Sequence, residues 1–175
     1  MSDLNIRREW SMPNRWTFKI PPIRQLVETT VHESEGLWID PFAGKSDIAD
    51  ITNDLHPERD TDYTMKSVDF LKQFDEGEVD GGVIFDPPYS AEQLRRQYDN
   101  AGTSPEQDET NGGFLGRNRD EVERVCSTGA KVVYLGWDST GIGKTRGFEK
   151  QEILLVCHGS SRNDTICVVE EYAPE

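Results

Sequence analysis

The chain has 175 residues, enough for one domain with a real core, and carries 33 acidic against 19 basic side chains for a formal charge of -14. That balance is awkward for a nucleic-acid enzyme, because phosphate contacts dominate such affinity. No run of about 18 apolar residues is present, so no membrane-spanning helix is expected. Three cysteines (Cys126, Cys157, Cys167) and three histidines (His32, His56, His158) are scattered without metal-ligand spacing, which excludes a zinc site and fits a reducing cytoplasm. MSDLNIRREW lacks the apolar stretch of a signal peptide.

Residues 1–20 are mixed and Trp-rich, and are expected to wrap the core. Prolines 21 and 22 open a helix over Arg24–Glu33. Leu37–Ile39 reads as a strand ending in Asp40-Pro41-Phe42-Ala43-Gly44, and Ile51–Asn53 as a second strand ending at Asp54. Ser67–Phe74 carries a short apolar stripe. Val83-Ile84-Phe85 is a buried strand that runs into Asp86-Pro87-Pro88-Tyr89. Ala91–Tyr98 and Arg119–Ser127 read as helices, separated by a polar, Gly-rich loop over residues 99–116. Loops of that length are usually functional or disordered. Lys131–Trp137 is a strand. Glu152–Cys157 and Thr165–Glu170 are two further β-rich runs. The gap between them is too short for a parallel crossover, so they pair as an antiparallel hairpin. The whole reads as a single α/β domain whose mostly parallel sheet has one reversed strand.

Open α/β sheets bind ligands at the carboxyl ends of their strands. There, Asp86-Pro87-Pro88-Tyr89 is suited to grip a flat, amine-bearing substrate. Asp86 and the Pro87 carbonyl offer two acceptors for the two N–H bonds. Pro88 restricts Pro87 to an extended conformation, which aims that carbonyl. Tyr89 offers a stacking face. The ordinary alternative is a strand-end turn, since Asp and Pro are common turn formers. Gly44 lets backbone approach a ligand closely. Asp54 suits a ribose diol. Asp69-Phe70 offers an acceptor and an apolar surface for an adenine ring. Each of these acids is weak alone, because a strand-end Asp is more often a helix cap; their order carries the weight. Gly44-Lys45-Ser46 and Gly143-Lys144-Thr145 mimic a phosphate-binding loop. Ile39 and Asp138 stand where that pattern requires glycine, which argues against a nucleoside triphosphatase.

In this order the motifs resemble the S-adenosylmethionine-dependent DNA amino-methyltransferases, most of all the adenine-N6 enzymes. The resemblance implies a Rossmann-like class I methyltransferase sheet. It implies cofactor contacts from Phe18, within Thr17-Phe18-Lys19-Ile20, from Asp40, Pro41, Phe42, Ala43 and Gly44, and from Asp54, Asp69 and Phe70. It makes Asp86, Pro87, Pro88 and Tyr89 the catalytic turn, acting on a base flipped out of duplex DNA. Ser46 stands where the family usually has a second glycine, and no separate target-recognition domain is present. Basic residues gather near the amino terminus (Arg7, Arg8, Arg15, Lys19, Arg24) and in later groups, of which Arg95, Arg96, Arg117, Arg119, Lys144 and Arg146 are the expected DNA contacts. Related turns also serve guanine N2 in RNA, cytosine N4 and protein glutamine. The altered glycine turn leaves open a non-catalytic binding module.

Overall fold

The computed structural model describes residues 3–105, 113–159 and 162–175. Residues 106–112 of the expected long loop, and residues 160 and 161 of the hairpin connection, lie outside the described residues. Strand β1 spans Asn5–Trp10 and is followed by a 3-10 turn at Thr17–Lys19. Helix α1 spans Pro21–His32, with its two prolines in the first turn, where their missing N–H groups cost nothing. Then come β2 (Trp38–Asp40), β3 (Ile51–Asp54), β4 (Tyr63–Thr64), α2 (Ser67–Leu71) and β5 (Gly82–Phe85). Helices α3 (Ala91–Asn100) and α4 (Phe114–Val125) precede β6 (Lys131–Gly136), β7 (Phe148–Cys157) and β8 (Thr165–Tyr172).

All eight strands form one sheet in the order β1-β7-β8-β6-β5-β2-β3-β4. Among the described residues, only β8 runs against its neighbours, pairing antiparallel with both β6 and β7. The sequence anticipates this hairpin. It does not anticipate β1, which pairs parallel with β7 from Asn5↔Glu152 to Trp10↔Cys157 instead of wrapping the core. Asn5–Trp10 has no β-branched run, and its partner lies some 145 residues away, so nothing local announces it. Helix α4 begins at Phe114, five residues before the expected Arg119, and α3 extends to Asn100.

The core lies on both faces of the sheet, sorted by the two-residue period of the strands. Val83 and Phe85 of β5, with Val132 and Tyr134 of β6, meet Phe70 and Leu71 of α2 and Val122 and Val125 of α4. Ile84, Val133 and Leu135 point the other way, against Ile23, Leu26 and Val27 of α1. Gly82 sits where the central strands leave no room: a Cβ there would lie 2.2 Å from the Lys131 carbonyl oxygen and 2.7 Å from the Trp38 ring. Gly82→Ala is expected to cost about 3 kcal/mol, the upper range for overpacking. A fall in the urea midpoint at unchanged m-value would register it.

From β2 the sheet grows outward through β3 and β4. The chain then returns to lay β5 on the other side of β2. The carboxyl ends of β2 and β5 therefore flank a topological switch point, where open α/β sheets form their ligand crevice.

Candidate active site

β2 and β5 are paired neighbours, with Trp38 opposite Gly82 and Ile39 opposite Val83. The turns that follow them, Asp40–Gly44 and Asp86–Tyr89, thus leave the sheet side by side. The Phe42 ring meets the Phe85 ring edge-on, with centroids 5.4 Å apart. Together the turns line a cleft of about 760 Å³, within the usual range for small-molecule sites. Helix α3 closes one side through Leu94 and Tyr98, which cluster with Phe114 and Phe42. Trp16, Thr17 and Phe18 close another.

The first turn is laced to β3. Ala43 N–H donates to the Asn53 carbonyl (2.9 Å), and Asn53 Nδ2 donates to the Pro41 carbonyl (3.0 Å). Gly44 adopts φ +59°, which its lack of a Cβ permits, and its N–H donates to Asp54 Oδ2 (2.9 Å). The other Asp54 oxygen accepts from His56 N–H (2.8 Å). Each oxygen keeps a second lone pair for a donor in the cleft. No helix follows this turn; residues 41–50 run directly to β3. Gly143-Lys144-Thr145, the other mimic of a phosphate loop, likewise leads into a short 3-10 turn at Lys144–Arg146 and then β7.

Asp40 is fully buried and does not line the cleft. One oxygen accepts from Phe42 N–H (3.0 Å), and Oδ2 has no hydrogen-bond partner. Burial pushes its carboxyl well above the usual range; the Phe42 N–H opposes this, and the negative charges of Asp86 and Asp54 add to it. The expected contact of Asp40 with cofactor is therefore corrected: it shapes the turn from beneath. Phe70 is corrected too. It is buried in the core between Tyr63 and Phe74, and neither it nor Asp69 reaches the cleft. The cleft is lined instead by Met65, Lys66 and Ser67, just before Asp69 in the chain. Phe18, Pro41, Phe42, Ala43, Gly44 and Asp54 all line it.

The second turn is held by the start of α3. Ser90 Oγ accepts from Gln93 N–H (3.2 Å), while Gln93 Oε1 accepts from Tyr89 N–H (2.8 Å), a reciprocal cap. Ser90 and Gln93 at that spacing were a legible signal that Tyr89 is fixed by a helix start. The Tyr89 hydroxyl donates to Asp86 Oδ1 (2.6 Å), and the Thr17 hydroxyl also hydrogen-bonds Asp86. Burial raises the Asp86 carboxyl to about 6, against the lowering effect of those two hydroxyls. Burial likewise drives the Tyr89 phenol well up, helped by the Asp86 charge. The ring of Tyr89 meets Trp137 edge-on at 5.6 Å, and Trp137, at the end of β6, is 41% exposed. This aromatic wall is a cleft feature that sequence reading missed.

Of the expected DNA contacts, only Arg96 lines the cleft, where it pairs with Glu92. Arg95 is exposed on α3, Arg117 is half-buried on α4, and Lys144 is exposed; none lines the cleft. Arg119 lies over the Tyr134 ring and donates to its hydroxyl (3.3 Å), and Arg146 is fixed to Asp120 at 2.7 Å. These two are structural, not free phosphate contacts. Among the described residues, the cleft nonetheless collects eight Lys and Arg side chains against three Asp and Glu. A strongly acidic chain thus has a basic mouth over an acidic floor.

No protein-family model matches the chain, and no curated protein matches it by sequence. Among solved structures, the crystal structure of PH0851 superposes over 83% of this chain with a TM-score of 0.52 at 10% identity. This chain spans 45% of that structure's length. The likeness is one of fold: a mixed α/β domain with a mostly parallel sheet.

Proposed function

We propose that this protein transfers a methyl group from S-adenosylmethionine to the exocyclic N6 amine of adenine in DNA, on a Rossmann-like methyltransferase sheet. The observation that carries the reading is the juxtaposition of the Asp40–Gly44 and Asp86–Tyr89 turns at one switch-point cleft. The residues present fit the cofactor. Asp54 and Asp86 line the floor with carboxylates, which suits a sulfonium and an ammonium. Asp54 retains acceptor capacity for a ribose diol. The basic mouth suits a polyanionic substrate.

The cofactor supplies an electrophilic methyl group. The protein supplies position and acceptors. An aromatic amine is a poor nucleophile because its lone pair is delocalised into the ring. Asp86 and the Pro87 carbonyl, each taking one N–H, draw the nitrogen toward tetrahedral geometry and localise that pair. Tyr89 and Trp137 hold the ring of an extruded base. Thr17 and Tyr89 keep Asp86 ionised in a buried site by donating to it. Holding the two reactants in line accounts for much of the acceleration.

The test is incubation with labelled cofactor and, separately, duplex DNA, single-stranded DNA and RNA, followed by digestion and identification of the modified base. N6-methyladenine from DNA is expected. Label in guanine or cytosine would keep the amine chemistry and discard adenine. Calorimetric uptake of cofactor with no label in any product would favour a binding module.

A further inference from the structure

Trp16 lies against the first turn, its ring 3.8 Å from where a Gly44 Cβ would stand. Three cations crowd that one indole. The Arg15 guanidinium carbon is 5.0 Å from its centroid, Lys45 Nζ 4.5 Å and the Arg59 guanidinium carbon 5.0 Å. They come from three separate segments: the amino-terminal arm, the first turn and the β3–β4 connection. Among the described residues, none of the three forms an ion pair. In a chain with 33 acids, three like charges are thus brought together with no carboxylate partner among those residues. The ring face attracts each cation, but the cations repel one another. An external anion would relieve that repulsion.

We propose that Arg15, Lys45 and Arg59, seated on Trp16, form the phosphate-binding rim of the cleft and carry the backbone of the nucleic-acid strand past Asp86. This deepens the nucleic-acid reading above and rests on it. Three charges spread around one ring match successive phosphates of a strand better than one carboxylate. Arg15 and Lys45 are exposed, so their charged heads can reach a ligand that lies across the mouth. The strand therefore crosses the Trp16 side of the cleft, away from Arg119 and Arg146, whose guanidinium groups are already engaged.

The experiment is fluorescence anisotropy of labelled DNA over a salt series, using the full chain as wild type, as Arg15→Gln/Lys45→Gln/Arg59→Gln, and as Arg146→Gln. Each phosphate contact contributes about 0.7–0.9 to the slope of log affinity against log salt. The triple variant is expected to lose about two of slope and at least tenfold in affinity, with Arg146→Gln unchanged. Arg15→Gln alone, at an exposed position, gives a proportionate part of the effect should the triple variant fold poorly. Calorimetric uptake of S-adenosylmethionine should be unaffected. An unchanged slope overturns the proposal, as does lost cofactor uptake, which would make the cluster a site for the cofactor carboxylate. DNA binding that depends on the rim without methylation of any base leaves the rim standing and removes the methyltransferase reading instead.

Discussion

Replacing Asp86 with alanine is expected to lower methyl transfer by roughly 10²–10³-fold, the scale on which loss of one positioned polar contact at a reacting centre acts. Cofactor uptake should persist, because Asp54 and the Gly44 turn remain. Asp86→Asn separates this role from a structural one. Burial raises the Asp86 carboxyl to about 6, above the roughly 3.9 of an unfolded chain. Between about pH 4 and 6 the native state therefore binds the extra proton, and this group's contribution to stability falls as pH rises through that window. At neutral pH the buried charge is a net cost. Asp86→Asn should then stabilise the fold by about 1–3 kcal/mol at pH 7.5, with the gain vanishing near pH 4. A variant that is more stable and inactive marks a residue kept for chemistry. A variant that is inactive because it is less stable would return Asp86-Pro87-Pro88-Tyr89 to an ordinary strand-end turn. The wild-type rate should also decline as pH drops through about 6, since a protonated carboxyl turns one acceptor oxygen into a donor facing the amine N–H.

Tyr89 carries the second large effect, and its two functions can be read apart. If the ring holds the extruded base, Tyr89→Ala loses stacking worth about 1–3 kcal/mol, or about 5–150-fold in kcat/KM. Tyr89→Phe keeps the ring and loses the hydroxyl that donates to Asp86 at 2.6 Å. That hydroxyl lowers the Asp86 carboxyl, so its removal should move the acidic limb of the pH–rate profile upward, above about 6. A profile that stays in place in Tyr89→Phe would mean that the hydroxyl does not control Asp86. Equal losses in the two variants would mean that stacking contributes little.

The basic mouth is compatible with the proposed nucleic-acid substrate despite a charge of -14. Net charge sets long-range repulsion from a polyanion, and that repulsion is screened over about 10 Å at 0.1 M salt. Within the cleft, contacts are shorter than that, and there the local excess of cations governs. An acidic surface of this kind would suppress loose binding elsewhere on the molecule and leave the cleft as the favoured route.

Several pieces of this molecule are written locally in its chain. Asp86-Pro87-Pro88-Tyr89 follows a buried strand, the glycine turn follows β2, and Asp54 stands at the end of β3, all where residue pattern alone puts them. The closing antiparallel hairpin is equally legible, because chain length between two strands limits how they can pair. Period and turn chemistry act over a few residues, so they survive in a linear reading. The remaining features depend on distance through space, and only folding sets them. The edge strand β1 depends on a partner far along the chain. The sequence puts Asp40 and Phe70 in the right neighbourhoods, but packing buries the first beneath the turn and the second in the core. Thr17 reaches Asp86 only because the amino-terminal arm folds over the switch point. Most of all, Arg96 aside, the cations that line the cleft are not those just after the Asp86–Tyr89 turn in sequence. A helix pair, a ring and the Asp120 carboxylate engage Arg96, Arg119 and Arg146 in turn, while Arg15, Lys45 and Arg59 converge on one indole from three segments. Charge clusters along a chain do not predict charge clusters in space, because a side chain's direction and partners are fixed only when the sheet edge closes around them.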